Sequence, residues 1–124
     1  MIVRNLRIVR EMESAVFVEL PAFARRLADY LDDEDYRRLQ NALLDNPETG
    51  DVIKDAGGLR KMRFADARRG KGKRGGLRII YYLWLGGRQF WMFTLYDKDE
   101  MDDMTVKERH AFADALRAEL EKRR

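Results

Sequence analysis

Nine basic residues stand between Arg60 and Arg78: Arg60, Lys61, Arg63, Arg68, Arg69, Lys71, Lys73, Arg74 and Arg78. One acid, Asp66, stands among them, so the segment carries +8 in a 124-residue chain whose net charge is +3, leaving −5 elsewhere. Positive charge is therefore concentrated. A cationic loop between two strand-like runs is an electrostatic footprint for a polyanion, and nucleic-acid phosphate fits it best. Gly70, Gly72, Gly75 and Gly76 punctuate the loop and allow backbone to approach a ligand closely.

The rest of the composition narrows the chemistry. With no cysteine, disulfides, thiolate metal sites and a cysteine nucleophile are all excluded. The single histidine, His110, falls within an amphipathic helical pattern, where a surface role is expected, and one histidine cannot make a His-pair metal site. Chemistry in this chain must run on Lys, Arg, Tyr, Asp or Glu. No cofactor or metal is called for. The acidic run Asp97–Asp103 lacks the glycine that a calcium loop needs at its sixth position. No apolar run reaches the roughly 18–20 residues that span a bilayer, and no signal-peptide pattern opens the chain, so a cytoplasmic protein without a membrane partner is expected.

Length suits a single domain. Residues 1–11 alternate apolar and basic types weakly, as an extra strand or a frayed arm. Met12 could itself be a start, which makes 1–11 an N-terminal extension and 12–124 the domain. Ala15–Leu20 reads as a strand, stopped by Pro21, which suits the first turn of a helix. Phe23, Leu27, Tyr30 and Leu31 recur at helical spacing, as do Tyr36, Leu39, Leu43 and Leu44 after the capping pair Asp32-Asp33. These stripes predict a helical hairpin ended by Asn46-Pro47.

Leu59–Ala65 predicts a strand with Leu59, Lys61 and Arg63 on one face and Arg60, Met62 and Phe64 on the other. Leu77–Leu85 is apolar on both faces except for Arg78, as in a covered central strand. Gly86-Gly87 signals a hairpin to a returning strand, Gln89–Tyr96. Thr105 and Glu108 form a capping box ahead of a last helix with Phe112, Leu116 and Leu120 on its apolar side. The expected order is β–α–α–β–β–β–α, an α+β fold.

The run GGLRKMRFADARRGKGKRGGLRIIYY, followed by FTLYDKDEMDDMT, resembles the HigB branch of the RelE/ParE superfamily of type II toxins. The likeness covers Ser14 to the C-terminus. It implies a RelE-like (microbial RNase-like) fold with a twisted antiparallel sheet, an N-terminal helical hairpin and a C-terminal helix. It also implies cleavage of mRNA in the ribosomal A site and a cognate antitoxin from the same operon, of the helix-turn-helix DNA-binding kind. By the same resemblance Lys61 and Arg63 match the alternating basic pair before the loop. Arg78 matches the arginine opening the next strand, and Lys98, with Tyr96 nearby, matches the basic residue after the last one. Lys71, Lys73 and Arg74 belong to the HigB version of the loop.

The pattern departs from RelE in one respect. The last helix carries no tyrosine, so that role passes to Tyr96, Tyr82 or another group. No histidine lies near the C-terminal strand, where other branches have one.

A metal-free RNA endonuclease must take a proton from the 2′-OH, neutralise the phosphate and protonate the 5′-oxygen leaving group. Lysine accepts a proton only where neighbouring cations disfavour its charged form, which makes Lys61 or Lys73 the expected acceptor. Arg63 and Arg78 suit bidentate phosphate clamping, and Lys98 or Tyr96 suits the leaving group. Arg60, Arg68, Arg69, Lys71, Arg74 and Tyr82 are the expected RNA or ribosome contacts. Two other functions share these residues: a ParE-like inhibitor of DNA gyrase, and a non-catalytic RNA- or ribosome-binding module.

Overall fold

The computed structural model describes residues 2–7, 14–65, 76–84, 88–98 and 104–122. Its elements run β1 (Ile2–Arg7), β2 (Ser14–Glu19), α1 (Pro21–Tyr30), α2 (Asp33–Asp45), β3 (Asp51–Val52), β4 (Arg60–Phe64), β5 (Leu77–Trp84), β6 (Gln89–Asp97) and α3 (Val106–Lys122). The six strands form one sheet in the order β1-β2-β6-β5-β4-β3, an α+β fold with the helical hairpin before the central strands and one helix after them.

Local chemistry sets the helix ends. Pro21 occupies the start of α1, and the Asp32 carboxylate accepts a bond from the Asp35 N–H at 2.8 Å to cap α2. At α3 the Thr105 hydroxyl accepts from the Glu108 N–H at 3.1 Å while the Glu108 carboxylate accepts from the Thr105 N–H at 2.8 Å. That is the expected reciprocal box.

The sheet separates two cores. On one face Phe23, Tyr30, Tyr36, Leu39 and Leu43 of the hairpin pack with Phe17, Met62, Leu77, Ile79, Tyr81, Phe90, Met92 and Leu95. On the other, Leu116 with half-buried Phe112 and Leu120 of α3 pack near Leu59, Ile80, Trp91, Phe93 and Tyr96. Each fully buried large apolar side chain contributes about 1.5–3 kcal/mol. Arg26 pins α1 to the sheet, donating from Nε to the Leu95 carbonyl at 2.8 Å and from Nη2 to the Tyr30 hydroxyl at 2.9 Å.

Residues 2–7 form the outermost strand of the sheet, antiparallel to β2, the extra strand that is one of the two readings of this segment. Two features differ from the expected plan. β2 runs parallel to β6, so the sheet is mixed at that one junction and antiparallel at the others. The crossover through the hairpin and the later strands returns the chain alongside β2 in the same direction. The connection after α2 also holds β3, two residues long, facing Arg60 and Lys61. Gly86-Gly87 and most of the acidic run before α3 lie outside the described residues.

Candidate nucleic-acid site

The pairing register lays the candidate side chains out in rows. Arg63 of β4 lies opposite Arg78 of β5, and Arg78 lies opposite Tyr96 of β6. The next row along is Lys61, Ile80 and Thr94. Ile80 and Tyr96 belong to the core beneath α3, so strand alternation turns Lys61, Arg63 and Arg78 to that face as well. Neighbouring strands lie about 4.8 Å apart, so Arg63 and Tyr96 flank Arg78 across a span of about 10 Å.

Burial grades this row. Arg63 is exposed, Lys61 is half-buried, Arg78 is 5% exposed and Tyr96 is 1% exposed. The Arg78 guanidinium donates to the Leu77 carbonyl at 3.3 Å. A guanidinium fixed in such surroundings projects its field through low dielectric, where it acts more strongly than in water. Arg63 supplies the accessible charge beside it. Lys98 is exposed just past β6, and its N–H donates to the Gly76 carbonyl at 3.2 Å, which keeps it at the end of the sheet where Arg78 enters.

Arg60 points elsewhere. Its guanidinium donates to the Gly50 carbonyl at 2.8 Å and to the Glu48 carbonyl at 3.3 Å, with the Glu48 carboxylate 3.9 Å away. It braces the turn before β3 and lies on the hairpin face with Met62 and Phe64. Tyr82 shares the α3 face with Arg78 but stands four residues along, about 13 Å at strand rise. There it packs with Trp91 at a centroid distance of 5.5 Å, and Trp84 meets the same indole at 5.4 Å. Tyr82 and Trp84 thus form a half-buried aromatic cluster apart from the cation row. Arg68, Arg69, Lys71, Lys73 and Arg74 lie outside the described residues.

Beyond Arg63 the sheet edge opens into a cleft of about 570 Å³. Its walls are the 49–54 turn with β3, the Lys61–Arg63 stretch of β4, and Arg109 from the first turns of α3. Among the described residues four cations line it, Lys54, Lys61, Arg63 and Arg109, against one carboxylate, Asp51. Gly50 makes the wall possible. A Cβ there would stand 2.9 Å from Tyr81 Cε1 and 3.1 Å from the Lys61 backbone carbonyl. Arg109 was not singled out from sequence, because a lone arginine in a helix rich in charges looks like any solvated residue. His110 beside it is exposed, as expected.

Among the described residues no cluster of three or more His, Asp or Glu side chains suits a metal ion, and no helix is long and apolar enough to cross a membrane. The arrangement offers a phosphodiester one accessible arginine, Arg63, over the field of the buried Arg78, which is too covered for the direct clamp expected of it, with Lys61 and Lys98 on either side. No protein-family model matches the chain. A solved structure of E. coli toxin RelE, a double mutant in the free state, is similar to it. The pair shares 12% identity with a TM-score of 0.44, over 69% of this chain and 85% of that one.

Proposed function

We propose that this protein is the toxin of a type II toxin–antitoxin pair, a metal-independent endoribonuclease that cuts mRNA in the ribosomal A site. The observation that carries the reading is the three-strand row Arg63–Arg78–Tyr96 with Lys61 beside it on the same face. The HigB-like sequence run supplies those residues, and the register brings them side by side.

In this reading Arg63 holds the scissile phosphate by a bidentate contact and Arg78 stabilises the charge that builds on it from below. Lys61 or Lys73 takes the 2′-OH proton, the 2′-oxygen attacks phosphorus, and the 5′-oxygen departs with a proton from Lys98 or Tyr96. Because Tyr96 is 1% exposed and Lys98 is exposed, Lys98 is the better placed donor. The partners are ribosome-bound mRNA and a cognate antitoxin, a helix-turn-helix DNA-binding protein that silences the cationic face. The site of action is the cytoplasm.

Incubation with a defined mRNA, free and on programmed ribosomes, tests this directly. Cuts confined to the ribosome-bound message and lost with Arg78→Ala are expected. Wild-type protein that kills cells but cuts neither substrate would overturn the nuclease and point to gyrase.

A further inference from the structure

The guanidinium of Arg109 has no place in the chemistry just described, yet it lines the same cleft as Lys61 and Arg63. Its Nε–H is buried and meets no acceptor among the described residues. Among the described residues its Nη1 reaches only the Met104 carbonyl, at 3.4 Å, near the outer limit of a hydrogen bond. A guanidinium offers five donors in a fixed fork, so most of this one's capacity is uncommitted among the described residues. A buried donor left unsatisfied costs about 1–3 kcal/mol. That cost is offset when an anion enters.

The support beneath Arg109 is rigid. The Thr105–Glu108 box satisfies the first turn of α3, and the Arg109 N–H donates to the Thr105 carbonyl at 2.9 Å. Across the cleft, Lys61 and Arg63 stand on a strand paired along its length with β5. Three cations from two independent elements therefore converge on one space large enough for a phosphate and part of its nucleoside. Asp51 is the single opposing carboxylate among the described residues. Val52, 59% exposed on the same wall, offers the sugar an apolar surface.

We propose that this cleft is a phosphate subsite in which Arg109 holds the backbone phosphate neighbouring the one that Arg63 holds for cleavage, with Lys61 and Arg63 adding their field from the opposite wall. It rests on the nucleic-acid reading of the same face. It fixes the path of the strand: from Lys98 and Tyr96, over Arg78 and Arg63, and out at the β3 edge beneath α3. Arg109 acts here as a binding residue, sequence-independent, and sets the register of the message relative to the Arg78 row.

The test uses an uncleavable, fully 2′-O-methylated RNA pentanucleotide and measures log K against log salt for wild type, Arg109→Gln and Arg109→Lys. One phosphate contact on a single strand contributes a slope of about 0.7. The glutamine variant should lose about that much and bind all sequences more weakly, while the lysine variant keeps the slope. A brace for the Met104 carbonyl would change the melting temperature and leave the slope alone, and that result overturns the proposal. If the glutamine variant does not fold, a wild-type slope in RNA-bound protein that the lysine variant fails to reproduce overturns it too. Inorganic phosphate competing as well as the RNA, and weakened equally by Arg109→Gln, would mark a pocket for free phosphate and overturn the backbone assignment. The two readings fail separately. A lost slope in a protein that never cuts RNA leaves the subsite and removes the nuclease; an unchanged slope in a protein whose cutting needs Arg78 does the reverse.

Discussion

Tyr81→Phe deletes one oxygen atom from the hairpin face of the sheet, behind the cation row, and the structure says what that oxygen does. The Tyr81 hydroxyl donates to the Pro47 carbonyl at 2.8 Å and accepts from the Gly50 N–H at 3.0 Å. It thereby ties the chain after α2 to the middle of β5, over 31 and 34 residues of sequence. Each of the two bonds contributes about 0.5–1.5 kcal/mol, and stranding the buried Gly50 N–H adds about 1–3 kcal/mol, so a loss of about 2–6 kcal/mol is expected at neutral pH. Burial pushes the phenol above its usual value of 10.0, partly opposed by the Gly50 bond and the Arg60 charge. A raised folded value means stability that is complete below pH 10 and falls as pH climbs from there to the folded value. The slope is about 1.4 kcal/mol per pH unit. Urea unfolding of both proteins from pH 7 to 11 should show a constant gap up to about pH 9 and a shrinking one above pH 10. A gap under about 0.5 kcal/mol at pH 7, or one that stays constant to pH 11, would refute the account of this tie.

Gly50→Ala should cost about 1–3 kcal/mol by overpacking, since its Cβ would press on Tyr81 and the Lys61 backbone; equilibrium unfolding checks it. Asp32→Ala should cost about 1 kcal/mol of stability through the lost cap of α2, read as a lower melting temperature with RNA affinity unchanged. Arg60→Ala should lower stability by about 1 kcal/mol through the freed Gly50 carbonyl and leave the salt slope of RNA binding intact.

Much of this was legible because the signals are local. The two-residue period of Leu59–Ala65 placed Lys61 and Arg63 together and Arg60 opposite, and the register agrees. Pro21, Asp32 and the Thr105–Glu108 box marked helix starts through side-chain chemistry that operates within one turn. Arg78 in an apolar run implied a covered strand, and its burial follows. What was missed depends on distant partners. Nothing within Ser14–Glu19 says that it pairs parallel to β6, and nothing in two residues, Asp51-Val52, exceeds the noise of a turn. Arg60 counted as one more loop-side cation because its carbonyl partners at Glu48 and Gly50 lie ten or more residues upstream. Arg109 enters the site only through the packing of α3, which no spacing in its own helix encodes.

The central claim is that the cations facing α3, and not positive charge in general, do the work. Arg60 and Arg63 make the cleanest comparison: one charge each, three residues apart on one strand, on opposite faces of the sheet. The decisive measurement is the single-turnover cleavage rate of ribosome-bound mRNA by wild type, Arg60→Ala and Arg63→Ala, each confirmed folded. Removing a transition-state contact costs about 10²–10³-fold, so Arg63→Ala should fall by that much while Arg60→Ala stays within a few-fold of wild type. Equal losses in the two variants, or a greater loss for Arg60→Ala, would contradict the account.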